Sequence, residues 1–344
     1  MDFNLQKLIR PNVLKLKSYS SARDDFKGNA SIFLDANENP YLSDYNRYPD
    51  PHQRKLKEKI SSIKNINTEQ IFLGNGSDEP IDLLIRAFCE PGQDNVLIPQ
   101  PTYGMYTVSA EVNAVTIKTI TLTPDFDIDL EATRKAWDKK TKLLFLCSPN
   151  NPSGNLLSMD RIKLLLSEFT GLVIVDEAYI DFTDHKGFVP LLNNFPNLVI
   201  LQTLSKAWGL ANLRLGICFA SKEIISVLNK IKPPYNINGI TQSIALSQLE
   251  QVEQKNKWVS EIIAEREVVK KELSKIPSIK KVYPSQANFL LVKIVNANDV
   301  YQKLTTNGIV LRDRSNVVLC DDCLRITIGT SEENKILITE LKKL

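Results

Sequence analysis

Leu198-Val199-Ile200-Leu201-Gln202-Thr203-Leu204-Ser205-Lys206-Ala207-Trp208-Gly209-Leu210-Ala211-Asn212-Leu213-Arg214 is the stretch from which the rest of the chain is read. Four consecutive apolar residues have the length and composition of a buried strand, and polar groups follow at once. A strand that ends in Ser205-Lys206, with the chain resuming at Arg214, brings one hydroxyl, one amine and one guanidinium to a single strand-end crevice. In open α/β sheets ligands bind outside the carboxyl ends of the strands. A lone lysine would carry no such weight, because most lysines are solvated surface charges.

Working outward, residues 70–220 alternate short apolar runs with amphipathic stretches, the pattern of a parallel sheet covered by crossover helices. The expected strands are Asn95–Ile98, Leu143–Cys147, Leu172–Val175, Leu198–Leu201 and Gly216–Ala220. From Gln242 to Leu273 the chain is highly charged, helically spaced and free of Gly and Pro, so one long helix is expected to lead out of this core. Beyond it, Phe289–Val292 and Leu324–Ile328 read as strands of a second sheet. The expected organisation is an arm over residues 1–40, a large α/β domain over 41–240 with a mostly parallel sheet, and a smaller α+β domain over 241–344.

Composition excludes several classes. The 344 residues carry 43 basic and 40 acidic side chains, a net charge of +3, and no basic run of the kind that marks a nucleic-acid face. No apolar stretch approaches the ~20 residues needed to cross a bilayer, and Met1-Asp2-Phe3-Asn4-Leu5-Gln6-Lys7 lacks the order of a signal peptide. A soluble cytoplasmic protein with no nucleic-acid or membrane partner is expected. The 5 cysteines are scattered and mostly sit in apolar runs, which favours reduced core thiols. Cys320-Asp321-Asp322-Cys323 has C-x-x-C spacing but no second pair, and His52 and His185 are the only histidines, so no metal site is expected.

Five polar segments each follow an apolar run and so fall at one pole of the sheet. Gly74-Asn75-Gly76-Ser77-Asp78-Glu79-Pro80 opens a helical pattern, where exposed amides near Gly76, Ser77 and Asp78 can take a phosphate. The same residues also suit an ordinary capped helix start. Asp176 ends the run Val173-Ile174-Val175, where a buried carboxylate calls for a cationic partner. A pyridinium nitrogen is one such partner, and a helix N-cap is the plainer alternative. Tyr179 stands three residues on. Ser148-Pro149-Asn150-Asn151-Pro152 is a stiff turn, since proline restricts the preceding residue, and it aims the Asn151 amide consistently. Tyr103 in Gln100-Pro101-Thr102-Tyr103-Gly104 can stack on a ring or simply pack. An amine for an aldehyde, a carboxylate for a ring nitrogen, and hydroxyl, amides and guanidinium for a phosphate together match pyridoxal 5'-phosphate.

With Arg47-Tyr48-Pro49-Asp50-Pro51, Asp35-Ala36-Asn37-Glu38-Asn39-Pro40, Asn307 to Arg314 and Cys323 to Thr330, these motifs resemble the fold-type I, class II aminotransferases in order along almost the whole chain. More narrowly they resemble the histidinol-phosphate aminotransferase family. The resemblance implies the aspartate aminotransferase-like fold of pyridoxal-phosphate enzymes. It implies Lys206 as the amine linked to the cofactor and proton carrier, Asp176 at the ring nitrogen, and Asn151 and Tyr179 at the phenolic oxygen. It further implies stacking by Tyr103, and phosphate contacts from Gly76, Ser77, Asp78, Ser205 and Arg214. Tyr48 resembles a residue that reaches the phosphate from a second subunit, implying a homodimer. Asn212 and Ser153 depart from the family pattern, which more often has Gly and Thr there, without removing a chemical group the reaction needs.

For substrates, Arg325 resembles the arginine that grips a carboxylate in this superfamily, and Arg312, Tyr19 and Asn288 resemble groups around the phosphate of L-histidinol phosphate. An Arg fork pairs with carboxylate or phosphate alike, so Arg325 alone does not choose between them. The expected reaction is transamination between L-histidinol phosphate and 2-oxoglutarate, giving glutamate. An aromatic aminotransferase or a threonine-phosphate decarboxylase shares the cofactor residues, and a non-catalytic cofactor-binding regulator has no DNA-binding module to support it.

Overall fold

Successive side chains of the central strands sort to two cores on opposite faces of one sheet. In β5 (Leu172–Asp176), Leu172 and Ile174 enter one core while Val173 and Val175 enter the other. This is the two-residue alternation of a strand buried on both faces, and it explains the unbroken apolar run in the sequence. The computed structural model describes residues 3–18, 26, 28, 30–41 and 43–344.

The large sheet has seven strands: β1 (Ile71–Asn75), β2 (Asn95–Gln100), β3 (Thr116–Thr121), β4 (Thr141–Cys147), β5, β6 (Leu198–Thr203) and β7 (Leu215–Ala220). Their order is β1-β7-β6-β5-β4-β2-β3. All neighbouring pairs are parallel except those made by β7, which runs antiparallel to both β1 and β6. Helices Asp78–Phe88, Met105–Val112 and Lys222–Ile231 cover one face, and Arg54–Lys64, Met159–Glu168 and Gly239–Gln248 cover the other. All five expected strands are present, and the mostly parallel large sheet is as expected. The weakly apolar β3, Thr-Ile-Lys-Thr-Ile-Thr, lies at the sheet edge and was not among them.

A second sheet holds β8 (Ile279–Val282), β9 (Phe289–Ile294), β10 (Arg312–Asp313) and β11 (Cys323–Thr327), all antiparallel, in the order β10-β11-β9-β8. Leu290, Val292, Leu324 and Ile326 pack on helices Val252–Leu273, Ala297–Thr306 and Ser331–Leu341. The opposite face, carrying Phe289, Leu291, Cys323 and Arg325, looks toward the large sheet through contacts with Tyr179, Phe182 and Phe126.

The single helix expected over 242–273 is two, Gly239–Gln248 and Val252–Leu273. The break falls at Leu249–Gln251, where buried Leu249 anchors to the large core and Gln251 takes φ −91° and ψ 44°. Neither Gly nor Pro marks it. Among the described residues no helix is long and apolar enough to cross a membrane.

Candidate active site

At the carboxyl ends of β4, β5 and β6 a row of side chains on one sheet face, Cys147, Asp176 and Thr203, lines a crevice with about 510 Å³ of open space. Ser77, Asp78, Tyr103, Asn151, Ala178, Tyr179, Ser205, Lys206 and Arg214 complete its lining. Five separated stretches of sequence therefore converge as the strand-end rule requires.

Asp176 is 3% exposed and belongs to the same strand parity as Leu172 and Ile174. Its Oδ2 accepts a 2.6 Å hydrogen bond from the Tyr106 hydroxyl, and its Oδ1 accepts from the Ala178 amide at 3.1 Å. Burial pushes its carboxyl up to about 6, opposed by those two hydrogen bonds and by the Lys206 charge. A cation placed against Asp176 would remove that penalty. Tyr106 is fully buried, stacked on Phe145 at 4.8 Å and set edge-on to Tyr103 at 5.6 Å. It was not among the expected site residues. It stands three residues after Tyr103 in Gln-Pro-Thr-Tyr-Gly-Met-Tyr, a position that the sequence alone does not distinguish from packing.

Lys206 sits in the turn after β6 with its amine 5.5 Å from the centre of the Tyr179 ring. The surrounding protein lowers its pKa chiefly by desolvation, then through the charges of Arg325 and Arg214, against Asp176 and Asp78. The amine is thus held closer to the neutral form that takes up a proton or attacks a carbonyl. Tyr179 is buried, edge-on to Phe289 at 5.1 Å, and desolvation raises its hydroxyl above the ordinary phenol range.

The anion cradle forms where β1 meets β7. Gly74 pairs with Gly216, and the Gly76 amide donates to the Arg214 carbonyl at 2.7 Å. Gly76 has φ +74°, which strains any L side chain, and a Cβ there would lie 2.5 Å from Arg214 Nη2, so the guanidinium would have to shift. Ser77 precedes the helix Asp78–Phe88, whose first amides face the crevice end. The Asp78 carboxylate accepts from the Tyr103 hydroxyl at 3.1 Å and lies 3.5 Å from Arg214 Nη2, so it orients both.

From the other side, Arg325 Nη1 donates to Asn151 Oδ1 at 2.6 Å and its guanidinium lies 5.3 Å from the Phe289 ring centre. With Oδ1 taken, the amide NH2 of Asn151 is its remaining donor. Arg312 is exposed and directly opposite Arg325 in the β10–β11 register. Asn288 is half-buried, and its carbonyl accepts from the Ile328 amide at 2.9 Å. Tyr48 lies outside the crevice: it stacks on Tyr235 at 4.4 Å and lines a separate opening with Glu38, Arg47, Ile240 and Ile244. Tyr19 lies outside the described residues. All five cysteines are free and buried, and burial raises Cys320 to about 12 and Cys323 to about 11. Among the described residues no group of three His, Cys, Asp or Glu gathers as metal ligands.

Pyridoxal phosphate fits these residues. The buried carboxylate forms no ion pair among the described residues, the pKa of the amine is lowered, and Gly76 brings backbone without a side chain beside Arg214. Fold and crevice thus define an aminotransferase-type site, and the chain belongs to the class I and II aminotransferases, whose family model matches residues 30–341. It is 56% identical over 99% of both chains to a protein of Cytophaga hutchinsonii named histidinol-phosphate aminotransferase. Its fold matches the histidinol-phosphate aminotransferase of Clostridium acetobutylicum with a TM-score of 0.80 at 28% identity, covering 86% of this chain and 90% of that one. It also matches the Sinorhizobium meliloti enzyme, solved with pyridoxal-5'-phosphate, with a TM-score of 0.79 at 21% identity over 86% and 82% of the two chains.

Proposed function

We propose that this protein is a histidinol-phosphate aminotransferase that uses pyridoxal phosphate to move the amino group of L-histidinol phosphate to 2-oxoglutarate. The products are imidazole acetol phosphate and L-glutamate. The observation that carries the chemistry is the meeting of Lys206 and Asp176 in one crevice, with Arg325 tied to Asn151 across it. The narrower choice of substrate is supported by full-length identity above one half to relatives of that name, against the aromatic and decarboxylase alternatives.

When bound, the cofactor supplies an aldehyde carbon that links to amines and a ring that takes up the electron pair left as a substrate carbon loses its proton. Asp176, ionised, would accept a hydrogen bond from the ring nitrogen and favour its protonated form. Asn151 and Tyr179 would offer donors to the phenolic oxygen, and Tyr103 would pack on the ring face. Gly76, Ser77, Asp78, Ser205 and Arg214 would hold the phosphate, with the amides and guanidinium as donors. Lys206, its pKa lowered by burial, would be the amine that links to that aldehyde and the base that takes the proton from the substrate carbon. Arg325, Arg312, Tyr19 and Asn288 bind the substrate's distal anion.

The same reading assigns residues 1–40 to an arm, 41–240 to the large domain and 241–344 to the small one. It also makes the protein a cytoplasmic homodimer. Exposed Tyr45, Tyr48, Ile240 and Ile244 around one opening support a second copy there, with Tyr48 held by the bond from its amide to Glu38.

The test is stopped-flow absorbance of the holoprotein without keto acid, mixed separately with L-histidinol phosphate, L-phenylalanine and L-threonine phosphate. Rapid loss of the visible cofactor band with histidinol phosphate alone is expected. Loss of the band only with another amine would overturn the substrate while leaving the cofactor site standing.

A further inference from the structure

The small-sheet wall of the crevice carries more positive charge than a single carboxylate would offset. Arg312 and Arg325 are directly opposed in the β10–β11 pair, so their side chains leave the same face of the sheet. The ladder continues one residue further, where the Arg314 amide donates to the Cys323 carbonyl at 2.9 Å. Arg314 therefore returns to the face of Arg312 by the two-residue strand period, while Asp313 between them accepts from the Ser315 amide at 2.8 Å. Like charges directly opposed across a ladder are destabilising unless something offsets them.

Among the described residues Arg325 meets the Asn151 amide oxygen and the Phe289 ring, both uncharged. None of the three arginines forms an ion pair among the described residues. Arg314 is half-buried, its Nε is fully enclosed without a hydrogen-bond partner, and the same holds for the Nε of Arg325. Arg325 reaches the crevice through its bond to Asn151, which lines it, and Arg314 shares the sheet face of Arg325 by register. Two enclosed, unpaired guanidinium donors beside a third cation are costly unless a ligand with several acceptor oxygens completes them.

The geometry points to Arg314 as a specificity-determining residue, the third cation of a distal-anion site that favours a phosphomonoester dianion over a singly charged or neutral substrate end. This rests on the aminotransferase reading above and deepens it. A phosphate dianion has three terminal oxygens for three guanidinium groups. One carboxylate has two, and a neutral aromatic end has none to offer.

The test is kinetics of the holoenzyme and its Arg314→Gln and Arg314→Lys variants with L-histidinol phosphate and L-histidinol. Inhibition by glycerol 3-phosphate, a phosphomonoester with no amine, is measured alongside. In Arg314→Gln we expect KM for the phosphorylated donor and Ki for glycerol 3-phosphate to rise by about 10- to 100-fold, the loss of a charged hydrogen bond. The kcat should change far less than KM, and KM for L-histidinol by at most a few-fold. Arg314→Lys, which keeps the charge but not the fork, should recover part of the loss. An equal change for both donors would overturn the assignment. So would an unchanged Ki in whichever variant folds. Should the wild type prefer an unphosphorylated donor, the proposed reaction fails, while the Ki comparison still reads Arg314 directly.

Discussion

The two walls of the crevice are built by different means. On the large-sheet side, Asp176, Thr203, Ser205 and Lys206 are the last residues of strands or the first beyond them, and backbone direction alone brings them together. On the small-sheet side, Arg312, Arg314 and Arg325 lie within a β-ladder and meet only because the register of β10 and β11 aligns them on one face. The difference teaches that bond-making groups can be anchored to strand termini, while substrate selection rests on a sheet face that can be re-lettered residue by residue.

The largest effect expected from this division is at Lys206. Replacement by Ala should lower turnover by about 10⁴-fold or more with every donor, since both the linking amine and the proton carrier are lost. Cofactor should remain bound through Gly76, Ser205 and Arg214, read by retained cofactor after dialysis. Near-wild-type turnover would break the assignment of the large-sheet wall.

Arg325→Gln should act next most strongly, and on the other wall. A loss of about 10- to 100-fold in kcat/KM for anionic donors is expected, carried mainly by KM. Because Arg325 also holds Asn151, a parallel shift in the cofactor's absorption maximum should accompany it. Kinetic loss with an unmoved spectrum would show that the two walls are independent.

The smallest effect is expected from Tyr106→Phe. Removing the 2.6 Å hydrogen bond takes away an interaction that favours ionised Asp176, so that carboxyl should rise further above about 6. Asp176 then becomes protonated as pH falls at a higher pH than in the wild type. Cofactor affinity should accordingly weaken earlier on acidification, by about 5- to 10-fold near pH 6, corresponding to roughly 1 kcal/mol for one hydrogen bond. Equilibrium dialysis of cofactor against pH checks this, and identical pH profiles would remove Tyr106 from the role of positioning Asp176.

What was legible in the sequence follows the same contrast. The ends of β4, β5 and β6 announced themselves because an apolar run buried on both faces gives way abruptly to polar residues. The reversed direction of β7 had a signal too: only residues 204–214 separate it from β6, too few for the dozen or more of a crossover helix. Tyr106 stayed hidden because a buried tyrosine reads as packing until its hydroxyl's partner is known. Arg314 stayed hidden because β10 spans only Arg312–Asp313, too short for a periodicity to be read. The break at Leu249 depends on which core captures that leucine, information that is not local.

The adjacent carboxylates Asp176 and Glu177 face opposite sides of the sheet, the first toward Tyr106 and the crevice, the second toward Gln202 at 2.8 Å and the Phe188 amide. Their division of labour is therefore a matter of odd and even. Inserting or deleting a single residue between Leu172 and Asp176 would present the wrong carboxylate to the crevice and leave the other beneath the sheet. Length changes in descendants of this chain should accordingly be purged from that strand and tolerated in the loops around it, such as the exposed turn at Asp184–Lys186.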